Sequence, residues 1–213
     1  MSREIIIPDE VDREGLDANK LAHFFDVVWA RKTAKADAYL ESFLAFDICH
    51  LRDLTGKAAE NILLDVDDCI APPYGPILDA NLGHIDDMKR AGVNFGVYSN
   101  CKGMERLAPL RDMGIPIYSG KHAKPFATGF IEVCRTMDFN PQKTWMVDDN
   151  PLTGGGAVGV LEGVAFVKPI GVDPKYVPLK KRAKLYLSGL FRKLGIFRTL
   201  QGNRKIHRLS AKS

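Results

Sequence analysis

The sequence predicts an α/β fold in which a parallel sheet carries helices on both faces. From residue 61 onward, short apolar runs alternate with amphipathic segments, as is typical of repeated strand–helix–strand units. Three of the apolar runs end in polar residues, at Asp65–Asp67, Ser99–Asn100 and Asp148–Asp149. Because ligands bind outside the carboxyl ends of the strands in such sheets, the three polar clusters are expected to share one crevice.

The elements of this core follow from the positions of the apolar runs. We predict five strands, at Ile62–Val66, Val93–Tyr98, Ile115–Tyr118, Thr144–Val147 and Val164–Val167. Helices are expected between them, at about 77–91, 103–113 and 125–138, with a short one after the glycines at 154–156. The core is therefore predicted to span residues 61–172.

Residues 1–60 precede this core and are predicted to be helical. Within 18–47, two sets of apolar residues recur at helical spacing: Leu21, Phe24, Phe25, Val28 and Trp29, then Ala36, Tyr39, Leu40 and Phe43. A helix pair packed on the core is the favoured interpretation, and a partner-binding surface is the alternative.

Composition bounds the class of protein. The chain has 213 residues and is 46% apolar, which suits one α/β domain with appended segments. Its cysteines form no CxxC pair, which argues against a zinc knuckle and fits a reducing compartment: Cys49, Cys69, Cys101 and Cys134. Acidic residues near the start and the lack of a long apolar run predict a cytoplasmic protein, soluble or attached to a membrane surface.

The last segment, residues 173–213, is strongly basic. From Pro174 to Ser213 there are 12 Lys or Arg and no Asp or Glu, although the formal charge of the whole chain is only +4. An apolar helical face is predicted at Leu179, Ala183, Tyr186, Leu187, Leu190, Phe191, Leu194 and Phe197. Basic residues border or oppose it, at Lys180, Lys181, Arg182, Lys184, Arg192, Lys193 and Arg198. The pattern predicts an anionic membrane surface as partner, and a helix packed on the domain with a solvated basic face is the alternative.

The polar clusters have chemistry in common. In NILLDVDDCI, Asp65 and Asp67 alternate along an extended chain, so both carboxylates can approach one pocket. Two close carboxylates repel each other unless a cation lies between them, and carboxylate oxygens suit Mg²⁺. Asp148 and Asp149 could complete such a metal site or cap a helix. Ser99, Asn100 and Lys124 could bind a phosphoryl group, although each alone also fits an ordinary turn or surface position.

Together, the ordered clusters resemble the haloacid-dehalogenase (HAD) superfamily over residues 60–170. The four motifs are DVDDCI, VYSN, the lysine of AKPF, and VDDN. The resemblance implies a Rossmann-like fold and a phosphatase in which Asp65 attacks phosphorus. Asp67 would protonate the leaving oxygen and then activate water. Mg²⁺ would be held by Asp65, the Asp67 carbonyl and one or both of Asp148 and Asp149, and Ser99 and Lys124 would bind the phosphoryl group.

Two positions depart from the family pattern. Cys69 stands where the family usually has Thr or Val. Gly154 stands at the later acidic position of many relatives, which leaves Asp148 and Asp149 to supply the remaining metal ligands.

The spacing of the motifs leaves no room for a cap domain. Only 33 residues separate Asp65 from Ser99, and 24 separate Ser99 from Lys124. An open site would admit a lipid headgroup, a protein or a nucleic-acid end. The segments SNCKG, AKPF and VDDNPLTGG resemble the branch that includes phosphatidylglycerophosphate phosphatases, although GDxxxTD is more usual there than DDNPLTG. That branch implies a lipid phosphate as substrate. The alternatives are a phosphatase for nucleic-acid ends, nucleotides or another soluble phosphomonoester, and a non-catalytic binding module.

Overall fold

The computed structural model describes residues 36–100, 104–118, 124–203 and 205–211, together with Ala22. These residues form a six-stranded sheet in the order β3-β2-β4-β5-β1-β6, in which every paired strand is parallel. The strands are β1 (Ala38–Leu40), β2 (Asn61–Leu64), β3 (Asn94–Val97), β4 (Thr144–Asp148), β5 (Gly163–Val167) and β6 (His207–Leu209). The predicted fold class is confirmed.

Six α-helices accompany the sheet in the described part of the chain. They are α1 (Ile48–Thr55), α2 (Asp79–Arg90), α3 (Ala108–Asp112), α4 (Ala127–Met137), α5 (Pro151–Gly154) and α6 (Leu179–Gly202). Short 3₁₀ turns lie at Phe43–Ala45, Met104–Leu107, Pro141–Lys143 and Gly155–Ala157. No described helix is long and apolar enough to cross a bilayer.

The strands bury side chains on both faces of the sheet, as their continuous apolar runs predict. Ile62 and Leu64 of β2 join a core that includes residues of α1, α2 and α3. Leu63, between them, points the other way into a second core that includes Phe130 and Val133 of α4. Because successive side chains alternate across a strand, this arrangement confirms that helices cover both faces.

The prediction of the second N-terminal helix is wrong. Residues 38–40 form strand β1, which lies between β5 and β6, and a 3₁₀ turn follows at Phe43–Ala45. Ala38 and Leu40 are fully buried by this pairing. A short apolar run cannot be assigned to helix or strand by periodicity alone, and here pairing within the sheet decides. The first predicted helix falls on residues outside the described ranges, except for Ala22.

Other boundaries differ from the prediction in smaller ways. The expected strand at 115–118 makes a single bridge, between Ile117 and Val97. The short helix expected after the glycines begins earlier, at Pro151, because the Asn150 side chain caps it by accepting a hydrogen bond from the N–H of Leu152. Strand β6 was not predicted.

The carboxyl ends of β2, β3 and β4 lie side by side at one edge of the sheet. Between Asp65 and Ser99 the chain forms one loop, α2 and β3, so this interval contains no cap domain. Among the residues that the structure describes, loops and the α5–α6 region lie at this edge.

Candidate active site

Asp65 is the first residue after β2, and its backbone is held by the neighbouring strand. Its N–H donates to the carbonyl of Val147 over 2.9 Å. The residue is only 7% exposed. The end of the strand thus places a nearly buried carboxylate at the centre of the predicted crevice.

Lys124 lies beside this carboxylate and is almost completely buried. Its ammonium nitrogen is 2.9 Å from Asp65 Oδ1 and also forms an ion pair with Asp148 Oδ2. Burial alone would lower the pKa of Lys124, but the carboxylates of Asp148 and Asp65 raise it above its ordinary value. Lys124 therefore remains a cation between two acids.

Asn100 positions the backbone of Lys124. Its side-chain amide donates to the Lys124 carbonyl and its side-chain oxygen accepts from the Lys124 N–H, each over 3.1 Å. The amide thus supports the lysine, and its predicted contact with phosphate stays a prediction. Ser99, at the end of β3, is 5% exposed at the same edge of the sheet, and its predicted contact with a phosphoryl oxygen likewise stays a prediction.

Asp148 ends β4 and is fully buried. Its Oδ1 accepts from the N–H of Asn150 over 2.8 Å and from the hydroxyl of Thr153 over 3.3 Å, while Oδ2 accepts from Lys124. Burial raises the pKa of Asp148 to about 6, against the opposing effect of the Lys124 ammonium. Protein donors already engage both oxygens of this carboxylate.

Gly154 packs directly against Asp148. A Cβ atom at position 154 would lie 2.5 Å from Asp148 Cβ and 2.9 Å from Asp148 Oδ2. The carboxylate at 148 thus occupies the space into which a side chain at 154 would project, so acids cannot occupy both positions without a local shift.

Asp149 is buried next to Asp148 and is paired with a residue of α6. Arg192 Nη1 lies 2.6 Å from Asp149 Oδ2 and 2.5 Å from Asp68 Oδ2. Burial raises the pKa of Asp149 well above its ordinary value in spite of the nearby Arg192 guanidinium. Asp68 also accepts from the N–H of Gly171 over 2.7 Å.

Asp67 occupies the more open side of the site. Its side chain is 33% exposed, and its Oδ1 accepts from Arg106 Nη2 over 2.5 Å and from the N–H of Tyr74 over 3.3 Å. Burial raises the pKa of Asp67 to about 6, with a further contribution from Asp65, although the Arg106 guanidinium acts in the opposite direction. A carboxyl group with this pKa can be protonated or ionised near neutral pH.

The structure brings together Asp65, Lys124, Asp148 and Asp149, with Asp67 at the edge of the cluster. Sequence reasoning missed Asp68, Arg106 and Arg192 as members of the same charge network. Asp68 had a signal, since it is the third acid of DVDD. Arg106 and Arg192 had no such signal in the sequence, because they contact aspartates that lie about 40 residues away along the chain.

A divalent cation fits this set of residues. One oxygen from each of Asp65, Asp148 and Asp149 lies within 4.8 Å of the others, and carboxylate oxygens are the ligands that Mg²⁺ prefers. Among the described residues, the network contains five carboxylates (65, 67, 68, 148 and 149) and three paired cations (Arg106, Lys124 and Arg192), a formal net charge of −2 when every carboxylate is ionised. A single divalent ion would neutralise this excess.

No protein-family model and no curated protein matches the chain. Among solved structures, a 3-deoxy-D-manno-octulosonate 8-phosphate phosphatase from Moraxella catarrhalis, in complex with magnesium, phosphate and KDO, is 11% identical. It aligns over 72% of this chain and 94% of its own, with a TM-score of 0.44. A structure described as a predicted HAD-like family hydrolase from Porphyromonas gingivalis is 12% identical over 61% of this chain and 98% of its own, with a TM-score of 0.42. Another structure reaches a TM-score of 0.50 at 8% identity, over 71% of this chain and 87% of its own. At these identities the likeness bears on the fold alone.

Proposed function

We propose that this chain is a magnesium-dependent phosphatase of the HAD type that forms an aspartyl-phosphate on Asp65. The observation that supports this most directly is the charge network at the sheet edge, in which a buried ammonium lies 2.9 Å from the carboxylate of Asp65 within a cluster of net charge −2. Such a concentration of buried charge costs folding stability, and it is the arrangement that phosphoryl transfer requires.

Asp65 is the nucleophile in this proposal. Its backbone is fixed by β4, and Lys124 holds one of its oxygens, so the carboxylate is oriented before substrate arrives. Attack of the carboxylate on phosphorus forms a bond to one phosphoryl group as the bond to the leaving oxygen breaks. The ammonium of Lys124 is placed to offset the negative charge of the transferring group.

Asp67 is the general acid and base. With a pKa raised to about 6, it can hold the proton that the leaving oxygen needs and then accept one from the water that hydrolyses the aspartyl-phosphate. Arg106 and the N–H of Tyr74 fix one oxygen of its carboxyl group, which leaves the other oxygen for proton transfer.

Asp65 and Asp149 are the side chains best suited to hold Mg²⁺, since protein donors already engage both oxygens of Asp148. Bound there, the ion would neutralise charge on the phosphoryl oxygens and orient the substrate. The proposed role of Asp148 is then to keep Lys124 in place.

A lipid phosphate is the substrate class that we propose, and the outer face of α6 supports it. Its apolar residues lie on one side of the helix and are exposed, with Leu179 79% exposed, Leu190 64% and Tyr186 61%. An exposed apolar stripe of this length marks an interaction surface: Leu179, Ala183, Tyr186, Leu187, Leu190, Leu194 and Phe197.

The basic residues of α6 divide between the two sides of the helix. Lys181 donates to the Tyr74 hydroxyl over 3.0 Å, and Arg182 donates to the carbonyls of Val177 and Pro174, so both are turned toward the domain. Lys180, Lys184 and Lys193 are exposed. An apolar stripe flanked by lysines fits the surface of an anionic bilayer, where each lysine contributes about 1 kcal/mol.

The same helix contacts the acid cluster through Arg192. Docking of its outer face on a bilayer would therefore hold the site at about one helix diameter from the headgroups. From the resemblance to phosphatidylglycerophosphate phosphatases, we propose phosphatidylglycerophosphate as the lipid, hydrolysed to phosphatidylglycerol by a protein peripheral to the inner membrane face.

The test is phosphate release from phosphatidylglycerophosphate in mixed micelles with Mg²⁺, alongside release from a soluble chromogenic phosphate ester. We compare wild type with Asp65→Asn and with Asp138→Asn. Asp138 is an exposed residue at the end of α4 with φ of 57°, a conformation that Asn tolerates well, so it is a matched control.

Wild type and Asp138→Asn are expected to hydrolyse both substrates, and Asp65→Asn neither. Cleavage of the soluble ester alone would retain the mechanism but remove the lipid assignment, and would favour a soluble phosphomonoester or a nucleic-acid end. Absence of hydrolysis by wild type on either substrate would favour the non-catalytic binding module.

A further inference from the structure

The side chain of Arg192 connects α6 to two aspartates of the acid cluster, Asp68 and Asp149. It projects from the middle of α6, and its side chain is 15% exposed. The single nitrogen Nη1 lies 2.5 Å from Asp68 Oδ2, in the loop after β2, and 2.6 Å from Asp149 Oδ2, at the end of β4. One guanidinium thus joins three segments that are distant in the sequence.

Close packing of α6 makes this reach possible. Gly195, one turn after Arg192, is buried against α5, and a Cβ atom there would lie 3.5 Å from Leu152 Cδ2 and 3.7 Å from Pro151 Cβ. The absence of a larger side chain lets the helix backbone lie directly on α5, which itself follows Asp149 by two residues. The position of Arg192 is therefore set by backbone packing as well as by its ion pairs.

We propose that Arg192 is a positioning residue of the active site, which orients Asp149 and offsets one negative charge of the carboxylates that receive the divalent cation. This inference rests on the proposed metal site. It makes α6 part of the catalytic apparatus, in addition to any part it plays at a lipid surface.

Charge determines whether removal of Arg192 strengthens or weakens metal binding and catalysis. Without Arg192, the network changes from a net charge of −2 to −3, and carboxylate sites bind divalent cations more tightly as their negative charge grows. A phosphate substrate is an anion, so the same change disfavours its binding, and Asp149 loses the group that holds it. Removing Arg192 should therefore tighten the metal while weakening catalysis, a combination that a general loss of structure would not produce.

The experiment uses the full chain and Mn²⁺ as probe, because free Mn²⁺ is measured directly by electron paramagnetic resonance and the ion accepts oxygen ligands as Mg²⁺ does. For Arg192→Gln we expect Mn²⁺ to bind about 10-fold more tightly and kcat/KM for a soluble phosphate ester to fall at least about 10-fold. Arg192→Lys keeps the charge and should restore the Mn²⁺ affinity to within about 2-fold of wild type.

The matched control is Lys143→Gln. It changes the net charge of the protein by the same amount but lies at the amino end of β4, in a surface ion pair with Glu60, so both constants should equal those of wild type. A second variant, Asp68→Asn, changes the network in the opposite direction, to −1, and should weaken Mn²⁺ binding about 10-fold. It tests the charge part of the inference even if Arg192→Gln does not fold.

An Arg192→Gln protein that is folded and binds Mn²⁺ no more tightly than wild type would overturn the inference, as would a folded Asp68→Asn with unchanged affinity or a wild type that does not bind the ion. If the Mn²⁺ affinities shift as expected but no variant, wild type included, releases phosphate, the inference about Arg192 stands and the proposed function fails.

Discussion

Folded proteins usually bury apolar side chains and expose charged ones. The carboxyl edge of the sheet and the outer face of α6 both depart from this rule, each in the opposite way. At the sheet edge, Asp65, Asp148, Asp149 and Lys124 are ionisable and buried. On the outer face of α6, large apolar side chains such as Leu190 are exposed. Buried charges and long exposed apolar stripes are both uncommon in folded proteins.

The comparison shows that the described residues of each region leave an interaction incomplete, which a binding partner could supply. The sheet edge has more carboxylates than cations among the described residues, which calls for a positive ion. The helix has apolar surface without a cover in the described structure, which calls for an apolar partner. Since neither feature favours folding by itself, both are better explained by what the protein binds than by its stability.

The largest effect is expected for Lys124→Met, which removes the buried cation from the cluster at the sheet edge. Asp65 and Asp148 would then be buried without their cation, and we expect the free energy of unfolding to fall by about 3–5 kcal/mol. Phosphatase activity should fall at least about 100-fold. Urea unfolding and a soluble phosphate ester measure the two quantities.

A double variant separates charge from chemistry in this experiment. Lys124→Met with Asp148→Asn removes one of the two stranded charges, so part of the lost stability should return while activity stays low. A Lys124→Met protein as stable as wild type would contradict the view that this edge depends on paired buried charges.

The second effect concerns the outer face of α6. For the double variant Leu187→Gln and Leu190→Gln, we expect binding to phosphatidylglycerol vesicles to weaken about 100-fold, since burial of each leucine side chain contributes at least about 1.5 kcal/mol. Vesicle sedimentation measures this. The two side chains are exposed, so the free energy of unfolding should change by less than about 0.5 kcal/mol.

A matched pair of charge variants sharpens the result. Lys180→Gln with Lys184→Gln should weaken binding about 30-fold on anionic vesicles, and the loss should disappear at high salt. Vesicle binding that is unaffected by either pair would mean that the outer face of α6 serves a different partner.

Much of the sheet edge could be predicted from the sequence because its residues lie at strand ends. Asp65 and Asp148 each follow a run of buried apolar residues, and neighbouring parallel strands end at the same edge. Asp65, Asp148 and Asp149 therefore meet without any knowledge of loops, whereas Lys124 lies in the segment that precedes α4. The role of Asn100 could not be predicted in this way, because a hydrogen bond to the backbone of Lys124 depends on the path of the connecting chain.

Helix α6 and strand β1 illustrate two structural features that hydrophobic periodicity cannot predict. The apolar face of α6 matches the prediction except at Phe191, which is half-buried, but the pattern does not say whether that face turns toward the domain or away from it. Here Gly195 and Arg192 on the opposite side make the contacts with the domain. For β1, three residues between β5 and β6 are too few for a period to be recognised.

A third effect compares the packing of the two regions through one glycine in each. Gly154→Ala would place a Cβ atom 2.5 Å from Asp148 Cβ, whereas Gly195→Ala would place one 3.5 Å from its nearest neighbour, Leu152 Cδ2. We expect the first to destabilise by about 1–3 kcal/mol and the second to be neutral or stabilising by up to about 1 kcal/mol, since Ala favours a helix. Thermal unfolding of both proteins measures the difference, and equal melting temperatures would show that the acid cluster tolerates repacking.

The last effect is a dependence of stability on pH that Mg²⁺ should reverse. Burial raises the pKa of Asp148 to about 6 in the folded protein, against about 3.9 for an unfolded chain. Between these values the folded protein holds a proton that the unfolded chain has lost. Stability from this group is thus complete below pH 4 and lost as the pH rises through about 6, by at most about 1.4 kcal/mol per pH unit.

This contribution appears in the metal-chelated protein as the difference between wild type and Asp148→Asn, which cancels the titration of other groups. With EDTA, the urea midpoint of wild type should fall relative to that of Asp148→Asn between pH 4.5 and 7. Mg²⁺ binds the ionised carboxylates, so it should raise the wild-type midpoint more at pH 7.5 than at pH 4.5. A wild-type midpoint that rises with pH relative to the variant in EDTA would mean that Lys124, and not burial, dominates the ionisation of Asp148.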